Sequence, residues 1–205
     1  MSCDMAARRW VRERFGVSRE TQLAALVDLV AAEAMRQNLV SAATLNMLWH
    51  RHVMDSAQLL SFADASGGQW VDIGTGAGFP GLVIAILTDR PVALVEPRRR
   101  RAEFLAYAVQ QLGLAERTVV EPRRVELVTG DADVISARAV APLAKLLTAA
   151  AHLSTANTRW LLPKGRSARE EVAVAQRSWH GTFHVEQSLT DPESLIVIVE
   201  KVARR

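Results

Sequence analysis

Between positions 71 and 81 the chain reads Val-Asp-Ile-Gly-Thr-Gly-Ala-Gly-Phe-Pro-Gly. Glycines at 74, 76 and 78 allow a sharp turn and bring the backbone close to a ligand with no Cβ in the way. Apolar residues before the loop predict a strand, and Leu82 to Leu87 begin a helix, the setting of a nucleotide-binding turn. A dinucleotide site would place its third glycine where this chain has Phe79. The spacing is instead D-x-G-x-G-x-G, with Asp72 two residues ahead of Gly74. A carboxylate there suits a ligand bearing a sulfonium and an ammonium group, whereas it would repel a pyrophosphate. Taken alone, Asp72 reads equally well as a helix cap or turn residue.

A second acid, Glu96, ends the next predicted strand, where a carboxylate can accept hydrogen bonds from both ribose hydroxyls. Such an acid serves NAD and S-adenosyl-L-methionine sites alike, so it points to a nucleoside without choosing between them. Alone it is a solvated strand end; in register with the glycine loop and Asp72 it belongs to a site.

These residues need a frame. Up to about Phe62 the pattern is helical: Leu23, Leu26, Val27 and Val30 recur at helical spacing, with Ser18 at the N-cap position ahead of Glu20 and Thr21. A second helix is expected over Ala43 to Phe62, with Leu45, Leu48, Trp49, His52 and Val53 on one face. The stretch 64–68 reads as a loop and divides the chain into a helical extension (1–63) and a core domain (64–205). Strands are then expected at 69–73, 92–96, 118–120, 133–136, 159–162, 182–188 and 195–202, with helices at 99–112, 143–152 and 168–177. The alternation predicts an α/β fold whose mostly parallel sheet has helices on both faces. The last two strands, with no long helix between them, predict a hairpin and a terminal antiparallel strand. By fold-level analogy that is a methyltransferase rather than a dehydrogenase feature.

The composition narrows the classes. Lysine and arginine total 25, yet the lysines are only Lys145, Lys164 and Lys201, and the pI is near 9.6. Arginine's planar fork suits phosphates and base edges, so RNA is a reasonable partner; an ordinary arginine-rich surface is the other reading. The single cysteine, Cys3, leaves no disulfide framework and no cysteine-based metal site. The first residues lack the apolar core of a signal peptide, and no run approaches the ~20 apolar residues of a membrane span. A cytoplasmic protein is expected.

Several motifs together resemble one family. Gly74-Thr-Gly-Ala-Gly-Phe-Pro-Gly81 is similar to the G-T-G-x-G-x-P-G loop of the glucose-inhibited division protein B family, the small-subunit ribosomal RNA guanine-N7 methyltransferases. Asn38-Leu39, Arg51-His52-Val-Met-Asp55-Ser56, Arg100-Arg101-Ala-Glu-Phe104-Leu105, Ser136-Ala-Arg138-Ala139 and Lys164-Gly165 resemble further signatures of that family, in order. The resemblance implies the Rossmann-like class I S-adenosylmethionine methyltransferase fold, with seven strands. It implies that Gly74 and Phe79 contact the cofactor, that Gly76 and Gly78 shape the loop, and that Val125 and Glu126 flank the adenine. Arg138 matches the family's arginine at the cofactor and target site, and the implied target is a loop of 16S rRNA near the decoding region. Glu96 stands where aspartate is commoner, and the run from Pro97 to Arg101 is more basic than usual.

The absences fit that implication. Carbon-5 methylation of a pyrimidine needs a cysteine nucleophile, and Cys3 is far from any strand end. Exocyclic amines are typically held by an Asn/Asp-Pro-Pro-aromatic loop after the fourth strand, where this chain has Ala137-Arg138-Ala139-Val140. Guanine N7 carries a lone pair and no proton, so no acid or base is required. Positioning can then supply up to ~7–11 kcal/mol, with Arg138 as its agent.

Arg138 and Lys164, at carboxyl ends of strands, are expected to face the crevice where a base enters; their bland readings are a salt bridge to Asp131 or Asp133 and a solvated turn. Arg51 and His52 are further candidates for the target. His52 and Asp55, one helical turn apart, could also contact the glycine loop or simply be structural. The Arg98–Arg101 run is either a phosphate patch or a solvated helix start, and the tryptophans at 49, 70, 160 and 179 read as packing. The expected protein is a monomeric rRNA methyltransferase that needs no metal and no membrane. A small-molecule methyltransferase, a non-catalytic ribosome-assembly factor and, more remotely, an NAD dehydrogenase are the alternatives.

Overall fold

The structure, a computed structural model, describes residues 2–63 and 67–205. Seven strands form one sheet: β1 (Trp70–Ile73), β2 (Val92–Val95), β3 (Thr118–Glu121), β4 (Ala132–Ala137), β5 (Ser154–Lys164), β6 (Trp179–Gln187) and β7 (Leu195–Arg204). Their spatial order is β3-β2-β1-β4-β5-β7-β6. The first five pair in parallel, and β7 runs antiparallel to both β5 and β6. The closing antiparallel strand is therefore present, inserted between its hairpin partner and β5. Strand β5 begins at Ser154, five residues before the apolar stretch that signals it, because Thr158 bonds the Ala132 carbonyl and prolongs the pairing.

β1 is buried along its whole length, as a central parallel strand must be. Its side chains alternate between the two faces. Trp70 belongs to the apolar core shared with α1 (Cys3–Ala34), α3 (Gly81–Leu87) and α4 (Arg99–Gln111), while Val71 and Ile73 belong to the core shared with α5 (Leu143–Ala150) and α6 (Ala168–Ala175). All of α3 is buried, between sheet and α1, which is why its sequence Gly-Leu-Val-Ile-Ala-Ile-Leu shows no polar stripe. Each of its large aliphatic side chains contributes roughly 1.5–3 kcal/mol. Trp70 and Trp160 are fully buried, and their indole N–H groups donate to Ser136 Oγ (2.8 Å) and Ser154 Oγ (3.0 Å).

The helical region departs from expectation twice. Helix α1 is broken at Gly16 (φ 86°, ψ 167°), so Ser18 lies inside the second half and does not cap it. A left-handed φ favours glycine over any neighbour. Across that break, Arg8 and Arg12 both reach the buried carboxylate of Glu20. The expected single helix from Ala43 to Phe62 is instead a chain of irregular turns: a tight one at Ala42–Met47, a wide one at Trp49–Met54, a short α2 at Asp55–Ala57 and a tight one at Gln58–Ser61. Such irregularity marks tertiary constraint. Asp4 accepts from the backbone N–H groups of Trp49 (3.2 Å) and His50 (2.9 Å), and Gln58 donates to Ser188 Oγ (3.0 Å). Of the expected boundary loop at 64–68, residues 64–66 lie outside the described residues.

β2 and β3 lie on one side of β1, and β4 and β5 on the other. The order reverses between β1 and β4, and in such sheets the crevice at the carboxyl ends of these two strands is the place for a ligand. The glycine loop leaves β1 there and Arg138 leaves β4 there. Among the described residues, no helix is long and apolar enough to cross a membrane.

Candidate functional site

The glycine loop is fixed from behind. Asp72 and Ser136 are partners in the β1–β4 register and point to the same face. Asp72 is fully buried; one carboxylate oxygen accepts from Ser136 Oγ (2.7 Å) and the other from Gly81 N–H (2.9 Å). Burial pushes its carboxyl up to about 6, against the hydrogen bonds that favour the anion. Asp72 lines neither of the clefts described below, whereas the motif places it beside a ligand. Strand alternation turns it beneath α3, where it anchors the loop to that helix.

Gly74, Gly76 and Gly78 all have positive φ. A Cβ at Gly74 would lie 2.5 Å from Val140 Cγ2, and one at Gly78 2.6 Å from Leu82 Cδ1, so close packing as well as turning requires glycine. Phe79 is likewise set back from the clefts. It is buried, its ring stacked on His52 (centroids 4.9 Å apart) with the Arg138 guanidinium 5.6 Å from its centroid, and it lines neither cleft described below.

Two clefts open beside the loop. The first, of about 410 Å³, is lined by Ile73, Gly74, Glu96, Val125, Glu126 and Leu146, among others. Glu96 Oε2 accepts from Gly76 N–H (3.0 Å) and Oε1 from Arg98 N–H (2.9 Å), so both oxygens are oriented and each keeps a lone pair. Val125 is buried in a short turn after β3, and the exposed Glu126 pairs with Arg124 (3.1 Å). Of the basic run, Arg98 and Arg101 line this cleft, while Arg99 pairs with Glu103. An apolar slot with one oriented carboxylate fits a nucleoside.

The second cleft, about 600 Å³, is lined by Arg51, His52, Asp55, Arg138, Lys164 and others. Its cations are each matched to an acid. Arg51 meets Asp191 (2.6 Å), Arg138 meets Asp55 (3.1 Å) and Lys164 meets Glu171 (2.9 Å). Arg138 thus pairs with Asp55, not with Asp131 or Asp133, which stand at the opposite end of β4. Lys164 is one-tenth exposed, so it is no solvated turn. Arg138 also donates to the Arg51 carbonyl (3.1 Å) and to His52 Nδ1 (2.7 Å). A guanidinium only donates, so Nδ1 accepts and the imidazole is neutral, with its proton on the buried Nε2. Burial, with Arg138 and Arg51 beside it, takes the His52 pKa down to about 3.

The sequence model of the family described as "GidB: rRNA small subunit methyltransferase G" matches residues 19–194. The chain belongs to this family. It is 51% identical over 200 residues to the ribosomal RNA small subunit methyltransferase G of Novosphingobium aromaticivorans, covering 95% of this chain and 87% of that one. With the protein of the same description from Rhizorhabdus wittichii the figures are 43%, 98% and 94%. Two solved structures share the fold at low identity. A predicted O-methyltransferase from Agrobacterium tumefaciens has a TM-score of 0.60 at 19% identity, over 73% of this chain and 80% of that one. TYW2 of P. horikoshii, in complex with MeSAdo, has a TM-score of 0.58 at 15% identity, over 74% and 62%. The fold is that of class I S-adenosylmethionine methyltransferases.

Among the predicted residues of this family member, Gly74, Glu96, Val125 and Glu126 come together at one cleft and Arg51, His52, Arg138 and Lys164 at the other. Gly76 orients Glu96, and Asp72, Gly78 and Phe79 support from behind. Asp191 and Glu171, whose partners lie on other elements, carry no local signal in the sequence, while the segment Ala139–Val140–Ala141, singled out only as the place of an absent amine-holding loop, lines both clefts. No three His, Cys, Asp or Glu side chains among the described residues are grouped to hold a metal ion.

Proposed function

We propose that this chain transfers the methyl group of S-adenosyl-L-methionine to N7 of a guanine in 16S rRNA, in a loop near the decoding region. Its relatives carry the description ribosomal RNA small subunit methyltransferase G. The observation that carries the reading in this structure is the pair of clefts meeting at one thin wall, residues 139–141, at the switch point of the sheet. A donor in one and an acceptor in the other would meet at the edge of that shared segment, where nitrogen, methyl and sulfur can come into line.

The residues fit the cofactor. Glu96 would accept from the ribose, Val125 and Glu126 would flank the adenine, and Gly74 and Gly76 leave the backbone open for close approach. When bound, S-adenosyl-L-methionine supplies an activated methyl on a cationic sulfur. The protein's task is then positional. Arg138 and Lys164, with Arg51 and His52, would hold the target nucleotide, turned out of its stack, in the larger cleft. Guanine N7 needs no proton removed, and the neutral His52, already an acceptor for Arg138, is not poised as a base. In this reading 64–205 is the methyltransferase domain, 1–63 an extension packed on it, and the protein acts in the cytoplasm as a monomer.

Tritiated S-adenosyl-L-methionine and small ribosomal subunits from a strain lacking the enzyme provide the test. Label at guanine N7 of 16S rRNA is expected. Cofactor binding with no label in the RNA would overturn the reading, and label in a small metabolite would move the chain to another substrate class.

A further inference from the structure

The wall between the clefts is an irregular connection from β4 to α5. Ala139 in it has φ 56°, a left-handed conformation that alanine keeps only when its surroundings hold it. Val140 leans on Gly74, so a shift of the wall would be felt by the glycine loop as well as by the larger cleft. One side chain outside either set of predicted residues gathers the ties that fix it. Glu171, in α6, accepts through Oε2 from the Leu143 backbone N–H (2.8 Å) and from Lys164 Nζ (2.9 Å), and through Oε1 from Ser167 Oγ (3.1 Å). Lys164 Nζ in turn donates to the Ala141 carbonyl (2.7 Å).

The first N–H groups of a helix have no partner within it, and no side chain of the residue before α5, Pro142, can cap it. Glu171 supplies that cap from another helix. Burial opposes its charge, but the ammonium of Lys164 and the Leu143 N–H outweigh burial and hold the carboxyl below the usual range. Lys164 has three N–H donors, of which two are spent on Glu171 and Ala141; the third is free for the contents of the cleft.

We propose that Glu171 is a positioning residue for methyl transfer: by joining the start of α5 to Lys164, and through it to Ala141, it sets the segment beside which donor and acceptor meet. The proposal rests on the methyltransferase reading of the two clefts.

The test compares the parent protein with Glu171→Gln, which keeps an acceptor oxygen but removes the charge, and with Glu171→Asp, which keeps the charge on a shorter arm. For each, kcat, KM for small ribosomal subunits, cofactor Kd by calorimetry and the thermal midpoint are measured. Misplacement of a wall this close to the transfer path should lower kcat by about 10- to 100-fold in Glu171→Gln. Cofactor Kd and KM, which the same segment touches, should change much less than kcat, and Glu171→Asp should recover part of the loss. Combined with Lys164→Met, Glu171→Gln should add little to the effect of Lys164→Met alone, since both break one chain of contacts. A lowered midpoint with kcat per folded molecule unchanged, in either Glu171 variant, would overturn the proposal, as would additive effects in the double variant. Should Glu171→Gln fail to fold, the Glu171→Asp rate decides by the same criterion. A parent protein that binds cofactor but labels no RNA defeats the methyltransferase reading and this inference with it; an active parent matched by its Glu171 variants defeats the inference alone.

Discussion

Replacing Asp72 by asparagine separates two opposed effects at the centre of the fold. The carboxylate is fully buried, and burial outweighs the Ser136, Thr75 and Gly81 hydrogen bonds to raise its pKa from an ordinary 3.8 to about 6. At roughly 1.4 kcal/mol for each pH unit, that difference is worth about 3 kcal/mol. Its sign follows from proton counts. Between about pH 4 and pH 6 the unfolded chain has released the proton while the folded chain retains it, so the folded state is increasingly penalised as pH rises. Above the folded pKa the penalty is complete, and below the unfolded one it is absent. An amide at 72 cannot ionise and carries none of this.

Other acids, such as Glu171 with its lowered pKa, slope the other way, so only the difference between parent and Asp72→Asn is diagnostic. The amide oxygen can accept from Gly81 N–H and the amide nitrogen can face Ser136 Oγ. Ser136 already receives the Trp70 indole N–H, however, so its own hydroxyl proton loses its acceptor, at a cost of about 1–3 kcal/mol. That cost moves the whole difference curve but does not tilt it. Urea unfolding of cofactor-free protein from about pH 4 to pH 8 should show Asp72→Asn gaining about 3 kcal/mol on the parent as pH rises. A flat difference, or a gain for the parent, would mean that loop and helix dipoles fully compensate the buried charge, and the reasoning would fail.

Three further outcomes are expected. Gly74→Ala forces a side chain into left-handed backbone and against Val140, and should cost about 1–3 kcal/mol in urea unfolding; adding Val140→Ala should recover part of it, and an unchanged midpoint would contradict the packing. Glu96→Gln removes a charged acceptor and should weaken cofactor binding by about 10- to 100-fold in calorimetry, the size of a lost charge-assisted hydrogen bond; an unchanged Kd would remove Glu96 from the cleft's function. Arg138→Ala leaves Asp55, whose side chain is only 14% exposed, with its Gln58 and Thr190 hydrogen bonds but no counter-charge, and should destabilise the fold by about 1.5–3 kcal/mol, whereas Arg138→Ala with Asp55→Asn should be milder; equal losses would show that the pair is not what matters there.

The central strands and the glycine loop were legible because their signals are local: an apolar run, then glycines, then another apolar run. The orientation of Asp72 was legible too, since Val71 and Ile73 must share one face and Trp70 and Asp72 the other, but the ligand motif argued against that simpler rule. Glu20 looked like the first turn of a helix begun at Ser18; the break at Gly16 and the two arginines that surround Glu20 depend on the first half of α1 folding back over the second. The partners of the cleft cations were beyond reach. Arg51 finds Asp191 140 residues away and Arg138 finds Asp55 83 residues away, distances at which spacing carries no information.

Those ion pairs explain why the helical region shares in the site. Each is partly buried, so its Coulomb gain is set against a comparable loss of hydration, and none is a large source of stability. What they fix is geometry. Arg138 joins the end of β4 to Asp55, to the Arg51 carbonyl and to His52, and His52 lies flat on Phe79 of the glycine loop. Arg51 ties the same turn to Asp191, ahead of β7. A reaction that moves no proton through the enzyme asks only that two reactants be held in line, and a frame of charged pairs spanning the irregular turns, β4, β5 and the segment before β7 meets that demand.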